Sequence, residues 1–195
     1  RQRQMCIRDS GKTGDPVDTT VLSSLLGGSA DISPMTMARA FSAFANDGVM
    51  CEPRAVTKVV DAQGKSYDVG NDSCKQVIKK EVAQGVNYVL EQVLVRGSGY
   101  QRSIGLPGAS AAKTGTTDNS TQTWMVGYTK GLSTASWVGN YQYGSRSLNG
   151  LNIGGRSGGS GTEWVDGATY AGGQWQNYMK EIAPRYSTST FSSPP

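Results

Sequence analysis

Two short runs in the middle of the chain constrain its fold most. They are Ala111-Ala112-Lys113-Thr114-Gly115-Thr116-Thr117 and Trp124-Met125-Val126-Gly127-Tyr128-Thr129. They read as two strands separated by a sharp break. A third strand pattern follows at Thr134–Tyr141. The first run carries a lone cation, then small hydroxyls, then a glycine. Glycine weakens a strand interior, and where it persists another backbone usually comes close. A lysine beside it offers positive charge to an anion.

Helices flank these strands. Ser33-Pro34 opens one, with serine as N-cap and proline in the first turn. Met37, Ala40, Phe41 and Phe44 recur at helical spacing, and Asn46-Asp47-Gly48 ends the pattern. A hairpin is predicted from Arg54 to Val69. A second helix runs from about Lys80 to Val95, with Val82, Val86, Val89, Leu90 and Val93 on one face, until Gly97-Ser98-Gly99 breaks it. Gln174 to Ile182 reads as a terminal helix packed on the sheet. The glycine-rich stretch from Gly144 to Gly173 lacks a phosphate-loop pattern and reads as a flexible connection. The fold class is α/β, an antiparallel sheet flanked by helices.

The Lys113-Thr114-Gly115 triplet is short, and a second copy shows how little it means alone. Lys12-Thr13-Gly14 is followed by Asp15 and Pro16, which argue for a loop. The neighbours of Lys113 add specificity. Lys113–Thr117, Trp124–Thr129 and Thr134-Ala135-Ser136-Trp137-Val138-Gly139 follow the earlier block from Ile32 to Gly48. In this order they resemble the class A (bifunctional) penicillin-binding proteins, over roughly Leu22 to Pro184, at the C-terminal end of the transpeptidase domain.

The resemblance implies a penicillin-binding protein and serine β-lactamase-like fold, N-terminally truncated. It implies a serine D,D-transpeptidase that cross-links peptidoglycan through an acyl-enzyme, with no cofactor and no metal. The partners implied are a stem peptide ending in D-Ala-D-Ala and the β-lactams that mimic it. Lys113 and Thr116 are the expected catalytic residues. Thr114, Gly115, Thr116 and Thr117 are the expected substrate-binding residues. Strand alternation puts Thr114 and Thr116 on one face, where both hydroxyls could donate to the substrate carboxylate. Gly115 would let a peptide lie along the strand edge. The Thr116 N–H would be one oxyanion donor. The family's site is extracytoplasmic, with membrane contact only through an N-terminal anchor that this segment lacks. The alternatives are a D,D-carboxypeptidase or β-lactamase, or a non-catalytic module that senses β-lactams or binds the wall.

Two further matches are rejected. Ser110-Ala111-Ala112-Lys113 fits S-x-x-K, but that motif needs a helix, where residues three apart share a face. On a strand they point to opposite faces. Ser147-Leu148-Asn149 fits S-x-N but follows Lys-Thr-Gly, the reverse of the family order. The nucleophilic serine, its lysine and the S-x-N motif are therefore read as missing upstream of Gly11, and the isolated chain as inactive. Residues 1–10 resemble a translated sequencing adapter and are set aside. Residues 11–184 form the domain fragment, and 185–195 a disordered Ser/Thr/Pro-rich tail.

Composition excludes other chemistries. The chain has no histidine, so it holds neither a Ser-His-Asp triad nor a His-based metal site. Its net charge of +4 owes much to Arg1, Arg3 and Arg8, partly offset by Asp9. With these set aside the net is +2, and no basic run supports nucleic-acid binding. Cys51 and Cys74 bracket the predicted hairpin. A bridge across its base is expected and suits an extracytoplasmic protein, with two unrelated thiols as the alternative.

Overall fold

The computed structural model describes residues 32–69, 73–140, 146–153, 156–157 and 164–195. The adapter reading and the Lys12 triplet lie outside the described residues, as does much of the glycine-rich connection. No helix among the described residues is long and apolar enough to cross a membrane.

Helix α1 (Pro34–Ala45) begins where its capping residues direct. The Ser33 hydroxyl accepts from the Thr36 N–H at 3.1 Å, and Pro34 fills the first turn, where a missing N–H costs nothing. It stops at Asn46-Asp47-Gly48, where the Gly48 N–H returns to the Ala43 carbonyl at 2.7 Å. Gly48 has φ +89°, and a Cβ there would lie 2.0 Å from the Ile78 carbonyl oxygen. Both conditions require glycine.

Strand β1 (Val49–Cys51) leads into a small hairpin, β2 (Val59–Val60) with β3 (Ser66–Tyr67), and returns as β4 (Cys74–Gln76) antiparallel to β1. Cys51 lies directly opposite Cys74, and the two are disulfide-bonded. The Glu52 N–H bonds the Ser73 carbonyl at 2.9 Å. The neighbouring pair is therefore the hydrogen-bonded one, and the cysteines occupy the closer, non-hydrogen-bonded pair, with Cα atoms 4.0 Å apart.

Helix α2 (Lys80–Val95) has the predicted bounds but only part of the predicted buried face: Leu90 packs on the core, and Val86 and Val93 are half-buried. Val82 and Val89 are exposed, while Ala83, Gln84, Asn87 and Leu94 are buried. Polar recognition accounts for the rotation. Tyr128 donates its buried hydroxyl to Asn87 Oδ1 at 2.6 Å, and Asn87 Nδ2 donates to the Phe44 carbonyl at 3.0 Å. Burial, with the Glu91 carboxylate nearby, holds the Tyr128 phenol well above the usual tyrosine range, so it remains a donor. The α1 stripe is adjusted in the same way: Ala40 is exposed, and Ala43 and Ala45 are buried. Small residues let the helices approach the sheet closely.

The sheet consists of β5 (Ala111–Thr116), β6 (Gln122–Thr129) and β7 (Leu132–Gly139), antiparallel and in that order. Helices cover both faces, so Ala111 and its neighbour Ala112 are both fully buried. Ala111 and Tyr128 meet Phe41, Phe44 and Leu90 of α1 and α2 on one face. Ala112 and Met125 meet Ala171, Trp175 and Met179 of α3 (Tyr170–Ile182) on the other. A minor pair, β8 (Asn152–Ile153) with β9 (Arg156–Ser157), lies between β7 and α3 in the chain.

Two expectations need correction at the C-terminal end. Helix α3 begins at Tyr170 rather than Gln174, and the segment before it, from Trp164 to Thr169, is a turn docked on the sheet rather than a flexible connection. The tail expected to be disordered is seated through Phe191. Its ring meets Tyr128 edge-on, with centroids 5.5 Å apart, and its N–H bonds the Gly108 carbonyl at 2.7 Å. One aromatic residue closes the Phe41–Phe44–Tyr128 cluster, and that burial outweighs the polar composition around it. Phe191→Ala is expected to destabilise the chain toward the lower end of about 3–5 kcal/mol, because the site lies near a chain end and can partly collapse. Urea unfolding measures this, and an unchanged midpoint would return the tail to the disordered class.

Candidate active site

The ladder fixes what β5 offers. The Thr117 N–H bonds the Gln122 carbonyl at 3.0 Å, which makes Thr117–Gln122 a hydrogen-bonded pair. Antiparallel pairs alternate, so Gly115–Trp124 and Lys113–Val126 are hydrogen-bonded too. The backbone groups of Thr114 and Thr116 consequently point away from β6. No other strand pairs with β5 on that side among the described residues. The outer edge therefore presents the Thr114 carbonyl and the Thr116 N–H.

Lys113 sits at the same edge. Its exposed ammonium donates to the Thr114 carbonyl at 2.7 Å and forms no salt bridge among the described residues. Thr114 and Thr116 share the α3 face of the strand, as alternation requires. Both hydroxyls already have internal partners: Thr114 Oγ1 meets Ser98 Oγ at 2.6 Å, and Thr116 Oγ1 accepts the Gly167 N–H at 3.0 Å. Thr117 is not brought to this edge. Its hydroxyl meets Thr121 Oγ1 and accepts the Gln122 N–H, both at 2.8 Å, and so closes the β5–β6 turn.

The backbone that stands against Gly115 is that of Gly167. A Cβ on Gly167 would lie 2.6 Å from the Gly115 carbonyl oxygen and 2.8 Å from its nitrogen. A Cβ on Gly115 would meet Trp124 Cβ at 3.2 Å. Sequence reading missed Gly167, Asp166, Arg102 and Ser98 as neighbours of the site. Asp166-Gly167 carries a turn signal, but nothing local says which strand the turn will reach.

The rejected motifs are occupied elsewhere. Ser110 is buried and donates to the Leu106 carbonyl at 2.9 Å. Ser147 donates to the Asn119 carbonyl at 2.7 Å, and Asn149 Oδ1 accepts the Val165 N–H at 2.7 Å. Both hold loops. Among the described residues no group of three or more His, Cys, Asp or Glu side chains could hold a metal.

A strand edge free among the described residues, a cation and two hydroxyls thus lie together on β5. The family model described as "Penicillin binding protein transpeptidase domain" matches residues 7–140. This chain belongs to that family. The match begins inside the N-terminal segment set aside above. Among curated relatives, penicillin-binding protein 1A of Aquifex aeolicus is 28% identical over 172 residues, 88% of this chain and 22% of that protein. Penicillin-binding protein 1A of Mycobacterium tuberculosis is 37% identical over 143 residues, 68% of this chain and 16% of that protein. The structure of the penicillin-binding protein PonA1 from Mycobacterium tuberculosis superposes with a TM-score of 0.75 at 30% identity, covering 99% of this chain and 50% of that one. The PonA1 complex with penicillin V gives 0.72 at 29% identity, covering 99% and 51%. The transpeptidase segment thus groups with class A members, and it spans about a fifth of the curated relatives' length or less.

Proposed function

We propose that this chain is the C-terminal part of a serine D,D-transpeptidase domain and that the outer edge of β5 holds the donor peptide. The observation that carries this reading is the co-presentation of the Thr116 N–H, the Thr114 carbonyl and the Lys113 ammonium on a strand edge that no other described strand pairs with. An extended peptide ending in D-Ala-D-Ala adds there as a further strand. Its terminal carboxylate receives the hydroxyl hydrogen of Thr116 and the field of Lys113. The Thr116 N–H points at the scissile carbonyl as one oxyanion donor. A serine oxygen attacks that carbonyl, the terminal D-alanine leaves, and an acceptor amine then displaces the serine. A β-lactam places its ring amide and carboxylate on the same groups and acylates the same serine.

The attacking serine comes from S-x-x-K, and its partner motif is S-x-N. Ser110 does not fit the first role, being buried and hydrogen-bonded to the Leu106 carbonyl, and Ser147 and Asn149 do not fit the second, since both hold loops. The parent acts at the extracytoplasmic face of the bacterial membrane, held by an N-terminal anchor. The Cys51–Cys74 bridge supports an oxidising compartment.

The test is mass spectrometry after incubation with benzylpenicillin. The isolated chain is expected to gain no covalent mass, and the full-length protein one equivalent. An adduct on the isolated chain, on Ser110 or any other serine, would overturn the assignment of the nucleophile. A D,D-carboxypeptidase or β-lactamase would pass the acyl group to water rather than to an amine, and a sensor would hold it without turnover. Product analysis of the full-length protein with an added acceptor amine separates these three.

A further inference from the structure

The turn before α3 is built with more care than a connection needs. The Asp166 carboxylate accepts the Ala168 N–H at 2.8 Å and the Thr169 N–H at 3.0 Å. The Thr169 hydroxyl donates to the Asp166 carbonyl at 2.6 Å and accepts the Asp166 N–H at 3.2 Å. Arg102 Nε bonds the Ala168 carbonyl, and the Arg102 stem packs where Gly172 has no side chain. The product of this bracing is one N–H, that of Gly167, aimed at Thr116 Oγ1 at 3.0 Å. Gly167 lies so close to the β5–β6 ladder that a Cβ would stand 2.5 Å from the Trp124 carbonyl oxygen.

A hydroxyl has one hydrogen to give and two lone pairs to accept with. The Gly167 N–H occupies a lone pair of Thr116 and leaves its hydrogen for an outside acceptor. Thr114 differs, because its hydroxyl can give its own hydrogen to Ser98. Resting on the transpeptidase reading above, we infer that the Asp166–Thr169 turn is a positioning element. It commits the Thr116 hydroxyl to donate outward, and so makes the site selective for ligands that bear a carboxylate at that point. Asp166 and Gly167 act through Thr116 and need not touch the ligand.

The test is the second-order acylation rate of the full-length protein by benzylpenicillin and by its methyl ester, whose neutral carbonyl accepts more weakly. Gly167→Ala forces the turn off the ladder. It is expected to slow acylation by the acid about three- to tenfold, the worth of one oriented hydrogen bond. The ester rate should barely change, so the acid-to-ester ratio falls. Asp166→Ala, which adds no bulk, should shift the ratio in the same direction and serves if Gly167→Ala does not fold. Adding either change to Thr116→Val should cost nothing more. Equal losses toward acid and ester, or additive losses in the double variant, would make the turn a scaffold and overturn the inference. If Thr116→Val itself leaves the acid rate unchanged, the underlying reading of Thr116 fails first, and the inference with it.

Discussion

Thr116→Val is expected to slow penicillin acylation of the full-length protein by about tenfold to a hundredfold, and Lys113→Ala by at least as much. The valine keeps shape and β-branching but deletes the donor to the ligand carboxylate. A lost hydrogen bond to a charged group costs about 1.5–3 kcal/mol, and each 1.36 kcal/mol in the transition state is tenfold in rate. Lys113 should cost at least as much, because its ammonium is uncompensated among the described residues and supplies the positive potential at the β5 edge. Neither change should shift the melting temperature appreciably. Lys113 is exposed, and Thr116 contributes one hydrogen bond at the sheet rim. Acylation rates measured beside thermal melts decide the matter. Normal acylation by Lys113→Ala would remove the strand from the site. A collapsed melt with unchanged acylation per folded molecule would make it scaffold instead.

Trp175→Ala should have the largest effect on stability, about 3–5 kcal/mol, in the range seen for deleting a buried aromatic side chain. The indole is fully buried, and its ring occupies the space that Gly127 leaves on β6. A Cβ on Gly127 would lie 2.4 Å from Trp175 Cζ2 and 2.7 Å from Ala112 Cβ. The strand, the glycine and the helix are therefore one fitted unit, and β5 is held in register from below by it. A loss of this size is a large share of an ordinary domain's stability. Circular dichroism under urea should show the alanine variant largely unfolded, and Trp175→Phe, which refills part of the space, closer to the original. A variant as stable as the original would mean that α3 is not what holds the sheet.

Much of this architecture was legible before any coordinates. The three strands were marked by apolar runs separated by turn residues, and each lies within a residue or two of its predicted bounds. Helix α1 was marked by its capping serine, and both long helices by glycines beyond their C-terminal ends. Which face of α2 is buried was not legible. Of five aliphatic residues at helical spacing, Leu90 does pack on the Tyr128 cluster, but Val82 and Val89 are exposed, while Ala83 and Asn87, the amide that Tyr128 bonds, are buried instead. Hydrophobic periodicity sees apolar area and is blind to a hydrogen bond that only the fold brings within reach. Phe191 failed as a signal for a related reason. A single aromatic in a polar tail looks idle until a cluster with one open side is found for it.

The sequence by itself determined the chemistry of the edge: a cation, hydroxyls and a glycine on a strand, in a chain without histidine. Those are properties of residue type, order and a period of two, which a strand cannot alter. The tertiary structure alone decided which backbone groups face outward, because ladder parity depends on the pairing of β5 with β6. It also decided that Gly167, some fifty residues along the chain, stands against the Gly115 backbone and donates its N–H to Thr116 Oγ1. Contacts at that separation depend on how α3 packs across the sheet, and no local pattern encodes them.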